Sequence, residues 1–395
     1  MVANIVDTIF DVVDPNDGKT SLREALARAQ NGSAASTIEF SASLLAPNHT
    51  SGDRVILQLN SALVVGGPSP FIDIEGDIDF DGIADIKIDA QGTSRHFTIA
   101  EGGQLALSDI DLTGGHDAGA DGADGQYVTG DYEGTIVHAP NGGDGSSAAG
   151  SIYNAGSLVL NNVTISNSSA IGGNGGMGGG SGSDVPSSSS GRGGNGAEAA
   201  IVLNLGIATL ENVTLQSNSV TGGAGGVGGL AQAATHFGGG GSGSNGAILI
   251  NHGTLGADST QIFGSAIAAG GGGATAPQFE GYGPDGSSAH LINSGQAYLT
   301  YAEFGGAGIS GPLAINSGTL SGEITAWGNG ASIVGDGRDV NGGNYSIQDI
   351  GSGSNTATVS VRIVEFATDT ISVNEGNGGF TTITATLTRS LYDQA

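Results

Sequence analysis

The run DIDFDGIAD at 77–85 spaces its oxygen donors as a hard cation needs them. Asp77, Asp79, Asp81 and Asp85 stand at positions 1, 3, 5 and 9. The Ile83 carbonyl adds an oxygen at position 7, and Gly82 at position 6 permits the sharp turn that wraps the loop. The expected ion is Ca2+. The competing reading is an acidic turn between two strands.

A second set of donors follows in a Gly-rich stretch: Asp117, Asp121, Asp124, Asp131, Glu133 and Asp144, with His116 and His138. Scattered acids on such a stretch either hold another cation or are solvated. The motif at 77–85 is similar to the calcium loops of EF-hand, dockerin and thrombospondin-type repeats. It departs from a full EF-hand loop, because Asp89 is the nearest later acid and no second helix follows.

Other chemistry is poorly provided for. A lyase of the pectate type needs a basic residue to take a proton, yet between His96 and Gly337 the only Lys or Arg is Arg192. A glycosidase needs a carboxylate pair. Asp109 and Asp111 lie two apart, but the equivalent positions later are Asn162/Thr164 and Asn212/Thr214. His252 and His290 have no evident acid partner in the sequence. Trp327, Tyr298 and Tyr301 are free to stack on sugars or to pack in a core. GxGxxG-like strings lack the strand–helix context of a phosphate loop.

The elements that must position these groups are betrayed by a repeated phrase. It reads SIYNAGSLVL at 151–160, AIVLNLGIATL at 200–210, AILINHGTLG at 247–256, HLINSGQAYL at 290–299 and LAINSGTLSG at 313–322. FTIAEGGQLAL at 97–107 is a weaker copy with Glu101 in place of the Asn. A unit of this size buries its apolar face only by stacking on its neighbour, which predicts a solenoid. The markers Glu101, Asn154, Asn204, Asn251, Asn293 and Asn316 draw closer along the chain. The last interval fits a bare coil of three short strands. The longer ones fit the same coil with Gly-rich insertions at about 113–148, 170–197, 220–245 and 268–287, all leaving from one corner. Period-two alternation places Leu105, Leu107, Ile110, Leu112, Val163, Ile165, Val213 and Leu215 inside. Asp109, Asn162 and Asn212 then form one outward column, and Asp111, Thr164 and Thr214 another. The marker Asn residues are expected to form a structural ladder through tight left-handed turns.

Composition narrows the partners. With 75 glycines and no Gly-X-Y period, the chain is not collagen. A net charge of -28 leaves no basic patch for nucleic acid or an anionic membrane. There is no cysteine, no 18-residue apolar run and no basic, apolar leader at the N-terminus.

Ser21-Leu22-Arg23-Glu24 is a capping box, and Leu22, Ala25, Leu26 and Ala29 continue as an apolar stripe that Asn31-Gly32 ends. TSLREALARA at 20–29 resembles the CSLREA motif of bacterial surface β-helix proteins, with Thr20 in place of the cysteine. TIEFSASL at 37–44 and RHFTIAEGGQLALSDIDLTGG at 95–115 also resemble that family. The resemblance implies an all-β, right-handed parallel β-helix of the pectate-lyase-like superfamily, with a helical cap over residues 1–40 and coils over 41–350. It brings no catalytic residue. After a linker at 351–357, the segment VEF at 364–366, SVNEG at 372–376 and TTITATLTRS at 381–390 resembles the opening strands of a Calx-β domain, incomplete over 358–395. That implies one piece of a large calcium-dependent, type I secreted protein, extracellular or on a bacterial surface, exported without an N-terminal signal peptide. The expected role is structural or adhesive, with an extracellular matrix, polysaccharide or cell-surface ligand. A polysaccharide-modifying enzyme and a self-assembling filament or surface layer are the alternatives.

Overall fold

The computed structural model describes residues 4–47, 50, 53–128, 138–181, 190–230, 238–274, 282–305, 314–317, 319–327, 333–335, 345–348 and 360–361. The linker at 351–357 lies outside them, and so does all of the Calx-β-like segment except residues 360–361.

The described residues are mostly β, in long parallel sheets, with one short α-helix and a single turn of 3-10 helix at Ala42–Leu44. Alternation decides which side chains go inside. In Gln104–Thr113, Leu105, Leu107, Ile110 and Leu112 are all fully buried. That strand pairs in register with Ser157–Ser166, which pairs with Ile207–Glu211 and Thr214–Gln216. Thr254–Asp258, Gln261–Phe263, Gln296–Gly305 and Thr319–Trp327 extend the same sheet. A second parallel sheet runs through Phe97–Ile99, Ala148–Asn154, Ala199–Asn204, Gly246–Asn251, Ser288–Asn293 and Ala314–Asn316. A third holds His116–Ala118, Ser169–Ile171, Ser219–Thr221 and Ala266–Ala268. From residue 97 to 305 the chain visits second, first and third sheet in turn and repeats, whereas the described strands before and after belong to the first two sheets alone. One long apolar column results, from Val6 to Leu320.

The helix Leu22–Gln30 forms as its sequence dictates. Ser21 accepts from Glu24 N, and the Glu24 carboxylate accepts from Ser21 N at 3.0 Å. Its buried residues are Leu22, Ala25, Leu26 and Ala29, packed on the first strands. The boundary expected at residue 40 is no break in the sheet, since Asn4–Val6 and Ser36–Phe40 pair as its first two strands.

Two expectations about turns need correcting. Asn154 stands opposite Ile99, not Glu101. The first copy of the turn is two residues longer, so matching by sequence slipped there. The marker Asn residues are also not left-handed. The left-handed positions are a different column, at the bend in the first sheet: Asp109, Asn162, Asn212, Ser259 and Tyr301, with φ between 50° and 54°. A second such column is Gly114, Asn167, Ser217 and Gly264.

The Gly-rich insertions are built as arms with a three-residue period. They leave after the four strands of the third sheet, as expected. Gly119, Gly122 and Gly125 donate to Ile171 O, Asn174 O and Met177 O of the next coil. Gly172, Gly175 and Gly178 donate in turn to Thr221 O, Ala224 O and Val227 O. The next residues, Gly173, Gly176 and Gly179, donate across to Ser146 O, Gly143 O and Pro140 O of a returning arm. Three residues per turn is the period of polyproline II, which has no internal hydrogen bonds and so leaves its amides free for neighbours. Outgoing and returning arms therefore form a two-layer slab. Only glycine fits where the layers meet: a Cβ on Gly193 would lie 1.9 Å from Gly226 O, and one on Gly175 2.0 Å from Gly194 O.

Candidate functional site

The loop at 77–85 joins strand Ile72–Glu75 to strand Ile86–Asp89, both of the first sheet. Ile72, Ile74, Ile86 and Ile88 anchor it in the core. Phe80 and Gly82 take positive φ, 62° and 83°, and fold the loop on itself. The carboxylates of Asp77, Asp79 and Asp85 converge, with one oxygen from each within 4.8 Å of the others. Asp85 is buried and accepts from Ile78 N at 2.7 Å and Asp79 N at 3.2 Å. Asp77 accepts from Gly82 N at 2.8 Å and Asp81 N at 3.2 Å. Asp81 is not in the group; its carboxylate accepts from Ile83 N at 2.9 Å. Three of the four expected acids thus meet, held by backbone amides. The donor set is all hard oxygen and suits a divalent cation.

Beside this loop lies a carboxylate group that sequence reading missed. Strand Ile72–Glu75 pairs with Gln104–Thr113, which sets Glu75 opposite Ser108 and brings Asp73 and Asp109 near. Burial, with the charges of Asp109, Asp73 and Asp77, pushes Glu75 up to about 7. Burial also raises Asp73, against a 3.3 Å bond from Ser108 Oγ. The signal was the alternation in IDIE at 72–75, but that coil lacks the Asn-x-Gly marker that would have aligned it. Asp109 and Asp111 do not act as a pair: Asn162 Nδ2 donates to Asp109, and Asp111 takes Arg54 Nε at 2.9 Å.

The second expected cation set does not assemble among the described residues. Asp121, Asp124 and Asp144 accept from the amides of Asn174, Met177 and Asn195 at 2.7–2.8 Å, pinning one arm to the next. Asn174 and Asn195 repeat the device toward Ala224 and Ser242. Asp117 pairs with Arg95 at 2.5 Å and accepts from Ala149 N at 2.8 Å. His116 Nδ1 lies 2.8 Å from Ser169 Oγ. Asp131 and Glu133 fall outside the described residues.

His252 does gain an acid partner. Its Nε2 lies 2.8 Å from Glu198 and its Nδ1 2.5 Å from Ser294 Oγ, and the Glu198 hydrogen bond raises its pKa. The arrangement does not make Ser294 a nucleophile with an oxyanion hole: the nearby amides of Ser294 and Gly295 are both spent on Asn251 O. It ties the base of the slab to the turns of the second sheet.

Every third residue of the slab faces out. On the outgoing layer these include Tyr127, Met177, Val227 and Leu230, all exposed. The returning layer shows Asn141, Asp144, Arg192 and Asn195 instead, with Asn141 accepting from Arg192 N at 2.9 Å.

No family model matches the chain, and no curated protein does. Among solved structures, Geobacillus virus E2 ORF18 is similar at 9% identity and a TM-score of 0.28, covering 88% of this chain. The chain spans 62% of that protein's length, and neither fold family nor function is drawn from it. No described helix is long and apolar enough to cross a membrane.

Proposed function

We propose that this chain is an adhesive scaffold: a right-handed parallel β-helix, closed at its start by the helix Leu22–Gln30, that holds out a stiff glycine slab as its contact surface. Right-handed winding follows from the general preference of parallel crossover connections. The observation that carries the adhesive reading is the slab's outgoing layer. Its exposed Tyr127, Met177, Val227 and Leu230 stand on backbone already fixed by hydrogen bonds. Side chains on fixed backbone lose little further entropy when a partner docks. Ca2+ held by Asp77, Asp79 and Asp85 would stiffen the loop over the first sheet. Extracellular or surface display accords with the acidic composition and with the CSLREA and Calx-β resemblances.

The test is adhesion of beads coated with the whole chain to bacterial cells, animal cells and matrix proteins. Retention above bare beads, lost in the triple variant Met177→Asp, Val227→Asp, Leu230→Asp, supports the proposal. Retention equal to bare beads on every surface overturns it.

One observation favours a second reading, a polysaccharide-cleaving enzyme: Asp73, Glu75 and Asp109 gather on the outer face of the first sheet. Release of reducing ends from any of a panel of polysaccharides, lost in Glu75→Gln, would establish it in place of the scaffold.

A further inference from the structure

The first sheet carries two tyrosines that its core does not use. Tyr298 is 61% exposed and Tyr301 66% exposed. Tyr301 sits at the sheet's bend in strand Gln296–Gly305, and Tyr298 lies just before it. The equivalent outward positions below Tyr298 are Gly256, Thr209, Val159 and Ala106, so one coil alone among these sets a ring there. Tyr301 is the more telling. It occupies the left-handed column with φ 52°, where earlier coils place Asp109, Asn162, Asn212 and Ser259. Those short polar residues suit that conformation, whereas a bulky side chain there is a strained outlier. A strained aromatic that stays mostly exposed gains little packing in return.

The surroundings define what would use these rings. Gly256 lies beside Tyr298 in register, and a Cβ there would meet nothing within 4 Å, which leaves open space against the sheet. Hydrogen-bonding groups flank the rings: Asp258 opposite Thr300, and Gln261, which donates to Glu303 at 3.0 Å. Tyrosine presents an apolar face and a polar tip at small entropic cost. Rings that meet C–H faces, carboxylates and amides that meet hydroxyls, and space to lie along a strand together suit a chain of sugars. The chain's charge of -28, with acids and no Lys or Arg among these neighbours, excludes a uronate or sulfated polymer.

We propose that Tyr298 and Tyr301 form a stacking platform for a neutral polysaccharide, with Asp258, Gln261 and Glu303 receiving its hydroxyls. The platform is separate from the glycine slab and stands whether or not the slab binds anything.

The probes are cellohexaose, chitohexaose, mannohexaose and hexagalacturonate, titrated calorimetrically into the whole chain. The expected result is binding of at least one neutral hexaose and none of the uronate. Tyr298→Ala weakens that binding at least tenfold, and Tyr298→Phe stays within threefold. Tyr301→Asn also weakens it at least tenfold while the melting temperature holds or rises, because Asn is native to that bend at Asn162 and Asn212. A misfolded variant would instead melt lower. The proposal is overturned if no neutral hexaose binds, if hexagalacturonate binds as well, if the tyrosine variants bind unchanged, or if Tyr301→Asn melts lower. Failure with every hexaose leaves the rings to a protein partner, and the bead-adhesion result is unaffected by it.

Discussion

Asn154 donates from its side-chain amide to Asn204 Oδ1 at 2.6 Å, although fifty residues separate them. Asn204 passes the bond to Asn251 at 2.6 Å, and Asn251 to Asn293 at 2.7 Å. The second amide hydrogens go to Ile207 O, Thr254 O and Gln296 O, so each rung also fixes the turn of the coil above. All four residues are fully buried. Asn204→Ala would leave Asn251 Oδ1 without its donor and Thr254 O without its bond. A buried polar group left unmade costs about 1–3 kcal/mol, so the variant should lose about 2–4 kcal/mol. Urea unfolding measures it, and a change within about 0.5 kcal/mol would show the ladder to be idle.

The glycine slab makes an equally sharp prediction. Gly226→Ala places a Cβ 2.0 Å from Gly176 O, deep between backbones that have no side chains to move aside. Gly239, in a returning arm, faces nothing within 4 Å. Gly226→Ala should disrupt the slab and lower the melting temperature, and Gly239→Ala should leave it unchanged or slightly raised. Equal effects at both positions would mean that the arms do not pack as described. Amide exchange gives a second measure, with Gly173, Gly176 and Gly179 protected.

The repeat was legible because Asn-x-Gly and the alternation around it survive in each coil after residue 150. The helix was legible because Ser21 and Glu24 state its start and four apolar residues state its buried face. The arms were hidden. Their order rests on glycines three apart, which composition alone presents as a loose loop, and their acids looked like cation ligands when they are backbone acceptors. The carboxylates of Asp73, Glu75 and Asp109 were hidden for another reason. Their nearness depends on the register between an unmarked early coil and its neighbour, and register is set by core packing rather than by any local motif. Glu101 was misplaced by the same weakness.

His290 should make the chain acid-sensitive. It is buried among apolar groups, stacked on Phe304 at 6.4 Å, and neither ring nitrogen has a partner. It stands level with Ile248, between the pairs Ala247–Ala289 and Leu249–Leu291. Burial pushes its pKa down to about 4. Between the ordinary value of 6.5 and about 4 the unfolded chain binds a proton that the folded chain refuses. The His290 contribution to stability is therefore full above about pH 6.5, falls as pH drops toward 4, and then levels, while Glu75, raised to about 7, contributes the opposite slope between 4.5 and about 7. His96 has the same depression to about 4 and adds to the slope, but its nitrogens are bonded to Ser151 Oγ and Thr113 O. His290→Ile should stabilise the chain by about 1–3 kcal/mol at pH 5. The gain should be smaller at pH 8. Equal gains at both pH values would refute the titration argument.

The loop at 77–85 separates cation binding from folding, because its acids do different work. Asp79 is exposed and accepts from Asp81 N at 3.2 Å, whereas Asp85 is buried and caps both Ile78 N and Asp79 N. Asp79→Ala should thus remove a ligand while leaving the metal-free chain nearly as stable, and Asp85→Ala should lower the melting temperature even without metal. Ligand that binds only the folded chain stabilises it by about 2.7 kcal/mol at a hundred times its dissociation constant. Added Ca2+ should accordingly raise the melting temperature of the native chain, and Asp79→Ala should abolish that rise. Calorimetric titration should show heat with Ca2+ for the native chain and little for either variant. No heat and an unchanged melting temperature in the native chain would reduce the loop to an acidic turn, its carboxylates satisfied by backbone amides alone.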